Sequence, residues 1–190
     1  MPADDLRRTL RVSTSPLHEE LDTVVGDFAT AGAYAAYVRK THRFRRCIEA
    51  ALCDTVDSGW TLDPIAGLAG RDLADLGLSP LPKADVPPWS PSPAARLGAA
   101  YVLEGSALGA RLLLQRAQAI GLRQDFGARH LAHQSADPRR WRAFLTVLEA
   151  LPDEMHQAAV AAAGDAFRLA FSIYSETADE FAPTDRSYQL

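Results

Sequence analysis

The sequence predicts an all-α fold in a single domain. Three observations point there. Apolar residues recur every three or four positions through most of the chain. No run of β-branched residues alternates with polar ones at the period of a strand, and no Asn-Gly or Asp-Gly pair joins two apolar runs. The length, 190 residues with 47% hydrophobic side chains, supports one sizeable core.

Six to eight helices are expected, and no internal repeat is visible. Leu6, Leu10, Thr14, Leu17, Leu21, Val24 and Phe28 mark a first amphipathic stretch ending near Gly26. Pro16 lies inside it, so it either kinks one helix or opens a second with Ser15 as N-cap. A second helix is predicted over 31–55, with Tyr34, Tyr37, Val38, Phe44, Ile48 and Leu52 facing inward, and a short third one over 64–76, closed by Gly77. The six prolines in 78–93 suit an ordered surface loop. A long helix follows over 92–120, with Gly121 as its stop. Asp137 and Pro138 read as the start of another helix that ends at Leu151-Pro152, and a last helix is predicted over 153–181. The domain would then cover 1–181, with 182–190 a flexible tail.

Composition narrows the function. A net charge of −4 argues against a general nucleic-acid or membrane-surface binder. No secretory run opens the chain and no stretch is expected to reach the length of a membrane span, so a cytoplasmic protein is the expectation. Cys47 and Cys53 lie about 120° apart on a helix, which suits two reduced thiols better than a disulfide or a metal pair.

The most informative stretch is Tyr101 to Ala110, mid-helix yet carrying Gly105 and Gly109, with Gly98 one heptad before Gly105. Each mid-helix glycine costs about 1 kcal/mol against alanine. The missing side chains serve close approach of another helix, close approach of a flat ligand, or a bend; on the glycines alone, helix packing is the simpler use. His18 shares a helical face with Thr14 and Arg11. No His-Glu-x-x-His pair, Cys/His cluster or doubled Glu-x-x-His accompanies it, which leaves out zinc and di-iron sites. A haem iron needs only one protein ligand, and a helix can lie flat over a haem only where side chains are missing.

Together these features carry a resemblance. Leu10-Arg11-Val12-Ser13-Thr14-Ser15-Pro16-Leu17-His18-Glu19-Glu20-Leu21-Asp22 resembles the first helix of the haem oxygenase family, in which the histidine is the proximal iron ligand. Tyr101 to Ala110 resembles that family's distal helix, in its bacterial, phytochrome-associated wording. Trp141-Arg142-Ala143-Phe144-Leu145, Leu148-Glu149, Pro152 and Ala166-Phe167 follow the order of its last two helices.

The resemblance implies a haem oxygenase-like helical bundle. It implies an enzyme for which haem is both cofactor and substrate, cleaved with O2 and electrons to biliverdin, iron and CO. By position, His18 would hold the iron, with Asp22 as a possible partner of its other nitrogen. Gly105, Ser106 and Gly109 would lie over the oxygen site. Arg11, Tyr101 and Arg142 would hold propionates, and Phe167 would form an aromatic wall. Mammalian members carry an aspartate where this chain has Ser106, so the proton supply is left open.

No flavin or nicotinamide motif is present, so a reductase or ferredoxin-type donor is implied. Arg39, Lys40, Arg43, Arg45 and Arg46 offer either a docking patch for such a donor or an ordinary solvated face; Arg139, Arg140 and Arg142 carry the same ambiguity. A bacteriophytochrome is an implied acceptor of the bilin. Two readings compete with the enzyme: a non-catalytic haem or bilin binder of the same fold, and a non-haem helical protein.

Overall fold

The computed structural model describes residues 4–52, 58–84 and 92–176. Among them are eight α-helices and a single 3-10 turn: α1 (Asp4–Val25), α2 (Ala31–Leu52), α3 (Ala66–Asp75), α4 (Pro93–Gly105), α5 (Ala107–Ala119), α6 (Arg129–Gln134), α7 (Arg140–Glu149), the turn Asp153–Met155, and α8 (His156–Ser175). No strand occurs among the described residues; the nearest approach is a pair of isolated bridges from Arg123.

Local chemistry sets most boundaries. Ser92 caps α4, accepting a hydrogen bond from the Ala95 amide at 3.1 Å, and Pro93 fills the first helical position. Gly26, Gly77 and Gly121 follow α1, α3 and α5 with φ of 61°, 65° and 91°, a left-handed conformation that costs glycine nothing. Pro16 neither ends α1 nor starts a new helix; α1 runs through it. Cys53, the end of the second predicted helix, the proline-rich stretch 85–91 and the predicted tail lie outside the described residues, whereas Cys47 is a buried free thiol.

α8 is the spine. It packs against α4, α1 and α2, while α3 and α6 close the far side of α2 and α5. All six inward candidates on α2 are buried. Burying a large apolar side chain stabilises the fold by about 1.5–3 kcal/mol, and Tyr34, Ile48, Leu97, Phe144, Leu148 and Ile173 are each at most 2% exposed.

Two expectations are corrected. The long helix over 92–120 is two helices, broken at Ser106. The Ser106 hydroxyl donates to the Leu103 carbonyl at 2.7 Å, taking an acceptor from the helical ladder at the break. Taken together, Pro93–Ala119 is also 27 residues long and holds an 18-residue window of mean hydropathy 1.3, by length and composition enough to cross a membrane, contrary to the sequence expectation. In this fold α4 is a core helix, with Ala94, Leu97, Ala99, Ala100 and Leu103 buried and its contacts made to α8 and α7.

Candidate functional site

A cavity of about 790 Å³ opens between α1 on one side and the α4–α5 break on the other, within the size range of small-molecule sites. His18, Arg11 and Thr14 reach it from α1; Tyr101, Gly105, Ser106 and Gly109 from α4 and α5; Phe167 from α8. The histidine and the glycines, 87 or more residues apart in the chain, thus line one space.

His18 Nδ1 sits 2.9 Å from an Asp22 carboxylate oxygen one turn on, and its ring centroid is 5.9 Å from that of Phe167. A carboxylate on Nδ1 fixes the tautomer that carries its proton there and leaves Nε2 with its lone pair, the form a metal requires. Thr14, 4% exposed, turns its hydroxyl to the Leu10 carbonyl at 2.8 Å and so packs beneath the cavity rather than reaching across it.

The three glycines differ in what surrounds them. A Cβ at Gly98 would stand 2.0 Å from the Ala159 carbonyl oxygen of α8, so that glycine serves helix packing. A Cβ at Gly105 would meet only the Trp141 ring, at 3.7 Å, and one at Gly109 would meet nothing within 4 Å. At those two positions bare backbone faces the cavity. Ser106 is exposed, but its hydroxyl is engaged. Its one proton goes to Leu103, and it accepts from the Gln134 amide at 3.0 Å.

Tyr101 packs against Trp141 with ring centroids 5.5 Å apart. Burial pushes its phenol pKa up, against the opposing pull of Arg7, the Thr14 hydroxyl and Arg11, so it remains a proton donor at neutral pH. Arg142 is exposed on α7 and is not among the residues that line the cavity. One helical residue is a turn of about 100°, and the neighbouring Trp141 is the residue that faces in. Arg116, not singled out from sequence, is a second cation on the wall and pairs with Asp27.

The deep wall was also missed. Tyr37, Thr41 and Arg45, spaced by four along α2, line the cavity with Tyr174 of α8. The Thr41 and Tyr174 hydroxyls are 2.7 Å apart, and burial pushes the Tyr174 phenol up to about 12. Burial likewise raises Tyr37 well above the usual phenol range. Arg45 is held by Glu49 at 2.7 Å, yet its Nη1 is buried with no hydrogen-bond partner among the described residues. Leaving such a donor unpaired costs about 1–3 kcal/mol. A polar stripe at i, i+4, i+8 within an otherwise buried helix was the legible signal.

Most of the basic residues of α2 are turned into the fold. Arg43 and Arg45 are buried and Arg39, Lys40 and Arg46 half-buried. Arg43 pairs with Glu176, Lys40 donates to the Tyr174 carbonyl at 2.7 Å, and Arg46 to the Leu81 carbonyl at 3.2 Å. In the smaller cluster, Arg140 is committed as well: it binds Glu104 through Nε at 2.8 Å and Nη2 at 2.6 Å and lies over the Trp60 ring at 4.6 Å, while Arg139 and Arg142 are exposed.

The short α6 gave no sequence signal, but it positions Gln134. Asp72, fully buried on α3, accepts from the Arg129 and His130 amides at 2.9 and 3.0 Å and lies 2.8 Å from His130 Nδ1. Burial opposes charge on Asp72, but these bonds together outweigh it and hold its pKa below the ordinary carboxylate value. No group of three or more His, Cys, Asp or Glu side chains suited to a metal ion occurs among the described residues.

Comparisons with known proteins place the chain in a family. The family profile described as "Heme oxygenase" matches residues 82–176. Heme oxygenase PigA of Pseudomonas aeruginosa is 34% identical over 174 residues, covering 83% of this chain and 85% of that one. A heme oxygenase of Xanthomonas campestris pv. campestris is 39% identical over 127 residues, covering 63% of this chain and 73% of that one. The NO- and CO-bound heme oxygenase structure from Neisseria meningitidis superposes with a TM-score of 0.75 at 24% identity, covering 92% of this chain and 94% of that one, and supports the same helical fold. With a relative of that identity and coverage, the chain belongs to the haem oxygenase family.

Proposed function

We propose that this haem-degrading enzyme clamps its substrate between His18 and the backbone of Gly105–Gly109, and cleaves it to biliverdin, iron and CO with electrons from a separate donor. The observation that carries the reading is the shared cavity: an imidazole oriented through Nδ1 faces a stretch of helix from which side chains are missing. The residues present fit a haem. The Gly109 backbone borders open space, Phe167, Val102 and Leu113 give apolar walls for a macrocycle, and Arg11 and Arg116 give cations for two carboxylates.

When bound, haem supplies the iron that activates oxygen and the ring carbon that is oxidised. The remaining work falls to the protein. His18 would bind through Nε2 while Asp22 keeps the Nδ1 proton and raises ligand basicity. Arg11 and Tyr101 would hold a propionate and so set the rotation of the ring; a charge-assisted bond is strong enough to do this. Gly105 and Gly109 would restrict the oxygen site by backbone alone. Ser106 would act mainly by holding the helix break, since its proton is already given to Leu103. The electron donor, of reductase or ferredoxin type, would dock on a surface other than Lys40, Arg43, Arg45 and Arg46, which are engaged within the fold. A bacteriophytochrome receiving the bilin is compatible with this reading, as is a cytoplasmic setting, and 1–181 would form one catalytic domain.

Reconstitution with hemin followed by ascorbate or a reductase tests it. The expected result is a Soret band that decays into bilin absorption. A Soret band that persists through repeated reduction in air would make the protein a binder and overturn the catalytic claim.

A further inference from the structure

Glu104 is a carboxylate buried in the last turn of α4, next in sequence to Gly105. It lines a smaller rear cavity of about 160 Å³ and not the cavity that holds His18. Both its oxygens are engaged. Oε1 accepts from Trp60 Nε1 at 2.9 Å and from Arg140 Nη2 at 2.6 Å, and Oε2 accepts from Arg140 Nε at 2.8 Å. Arg140 Nη2 also donates to the Thr61 carbonyl at 2.8 Å, and the guanidinium lies over the Trp60 ring at 4.6 Å. Glu104, Arg140 and Trp60 therefore close a ring in which each touches the other two. One carboxylate ties α4 to the first turn of α7 and to the segment before α3.

A buried ion pair is a poor source of stability, because desolvation offsets much of the Coulombic gain. What a two-pronged guanidinium–carboxylate contact fixes is geometry. Here that geometry reaches the haem cavity through the next residue on each helix. Gly105 follows Glu104, and Trp141 follows Arg140. A Cβ on Gly105 would meet the Trp141 ring at 3.7 Å, and the same ring packs on Tyr101 at 5.5 Å and on Phe144 at 5.8 Å. Gly105, Trp141 and Tyr101 all line the haem cavity.

We infer that the Glu104–Arg140–Trp60 clamp sets the height of the Gly105 backbone and the Trp141 ring over the haem and, through Tyr101, the rotation of the haem in its own plane. The inference rests on the haem reading above. Glu104, Arg140 and Trp60 are positioning residues; none of the three lines the haem cavity. With the clamp opened, α7 moves independently of the α4–α5 break, the wall over the oxygen site loosens, and the propionate end of the ring is no longer held in one orientation. Small displacements suffice, since a misplacement of about 1 Å can cost on the order of 100-fold in a positioned reaction.

The test uses the haem-loaded full chain with Glu104→Gln, which keeps the side-chain shape but sets an amide donor against Arg140, and with Arg140→Gln. Trp60→Phe, which keeps a ring and loses the Nε1–H, is the milder variant should the first two fold poorly. Ile48→Val, a core change that lines neither cavity, measures lost stability alone. Hemin affinity should stay within about threefold of wild type, because His18 and Arg11 are untouched. Carbon monoxide should leave the reduced haem roughly tenfold faster in Glu104→Gln and Arg140→Gln, and about threefold faster in Trp60→Phe. The ratio of bilin isomers should shift in the same order. The Glu104→Gln, Arg140→Gln double variant should be no worse than either single one, since both open one clamp. Wild-type carbon monoxide release and bilin ratio in all three variants, or changes matched by Ile48→Val, would overturn the clamp and leave the haem site standing. A wild-type protein with no Soret band would overturn the haem reading and the clamp's role with it.

Discussion

Gly98 and Gly109 lie on either side of the Ser106 break, on α4 and α5, and look alike in sequence. Their surroundings are opposite. At Gly98 the backbone of α8 presses so close that a methyl group would overlap the Ala159 carbonyl. At Gly109 a methyl group would enter open space at the mouth of a cavity. The first glycine keeps two helices together and the second keeps them apart from something else. The same residue type thus divides α4–α5 into a structural end and a working end, with the Ser106 break between them. Spacing identifies the glycines, but only tertiary neighbours tell which use each serves.

The largest effect that separates the two ends is Gly98→Ala. The overlap cannot be relieved by a side-chain rotation because the opposing atoms are backbone, and overpacking of this kind costs about 3 kcal/mol. Thermal unfolding should fall by roughly 6–12 °C. An unchanged melting temperature would erase the distinction.

Asp72→Asn should come next. It removes the charged acceptor that pins α6, and with it Gln134 and the break, at a cost of about 2 kcal/mol at neutral pH. The folded-state pKa of Asp72 is depressed, so its charge contribution is complete above the unfolded value near about 4 and is lost as pH falls through the lower folded value. Denaturant titrations at falling pH should therefore bring wild type and variant together in acid. A gap that stays constant would mean that the Asp72 charge plays no part.

The smallest effect on stability belongs to Gly109→Ala, which should leave the apo-protein unharmed or raise its unfolding free energy by roughly 0.5 kcal/mol. Gly109→Leu, equally tolerated by the fold, should weaken haem binding about tenfold or more, some 1.4 kcal/mol. If Gly109→Leu destabilises the apo-protein and leaves haem affinity intact, the working end is only another packing surface.

Much of this was legible beforehand. Gly26, Gly77 and Gly121 marked helix ends because a C-terminal stop is local chemistry, written within a few residues of the boundary. The face shared by Arg11, Thr14 and His18 followed from helical periodicity, and all three do line the cavity. The failures were non-local. Helix α6 is six residues long, too short for a period to register, and depends on Asp72, 57 residues earlier. The basic run of α2 read as surface because charge usually is; here its partners, Glu176, Tyr174 and Leu81, come from segments no local pattern links to it. Arg142 stays exposed, and its neighbour Trp141 is the one that lines the cavity.

The account turns on the imidazole of His18. The decisive measurement is a hemin titration of His18→Ala beside wild type, followed by absorption and repeated with free imidazole. Because the His18 side chain is 60% exposed and its neighbour Asp22 is 69% exposed, the variant should fold with wild-type stability. It should lose the coordinated-haem spectrum and bilin formation, and regain the spectrum when imidazole is added. A variant whose haem spectrum and turnover match wild type would contradict the clamp.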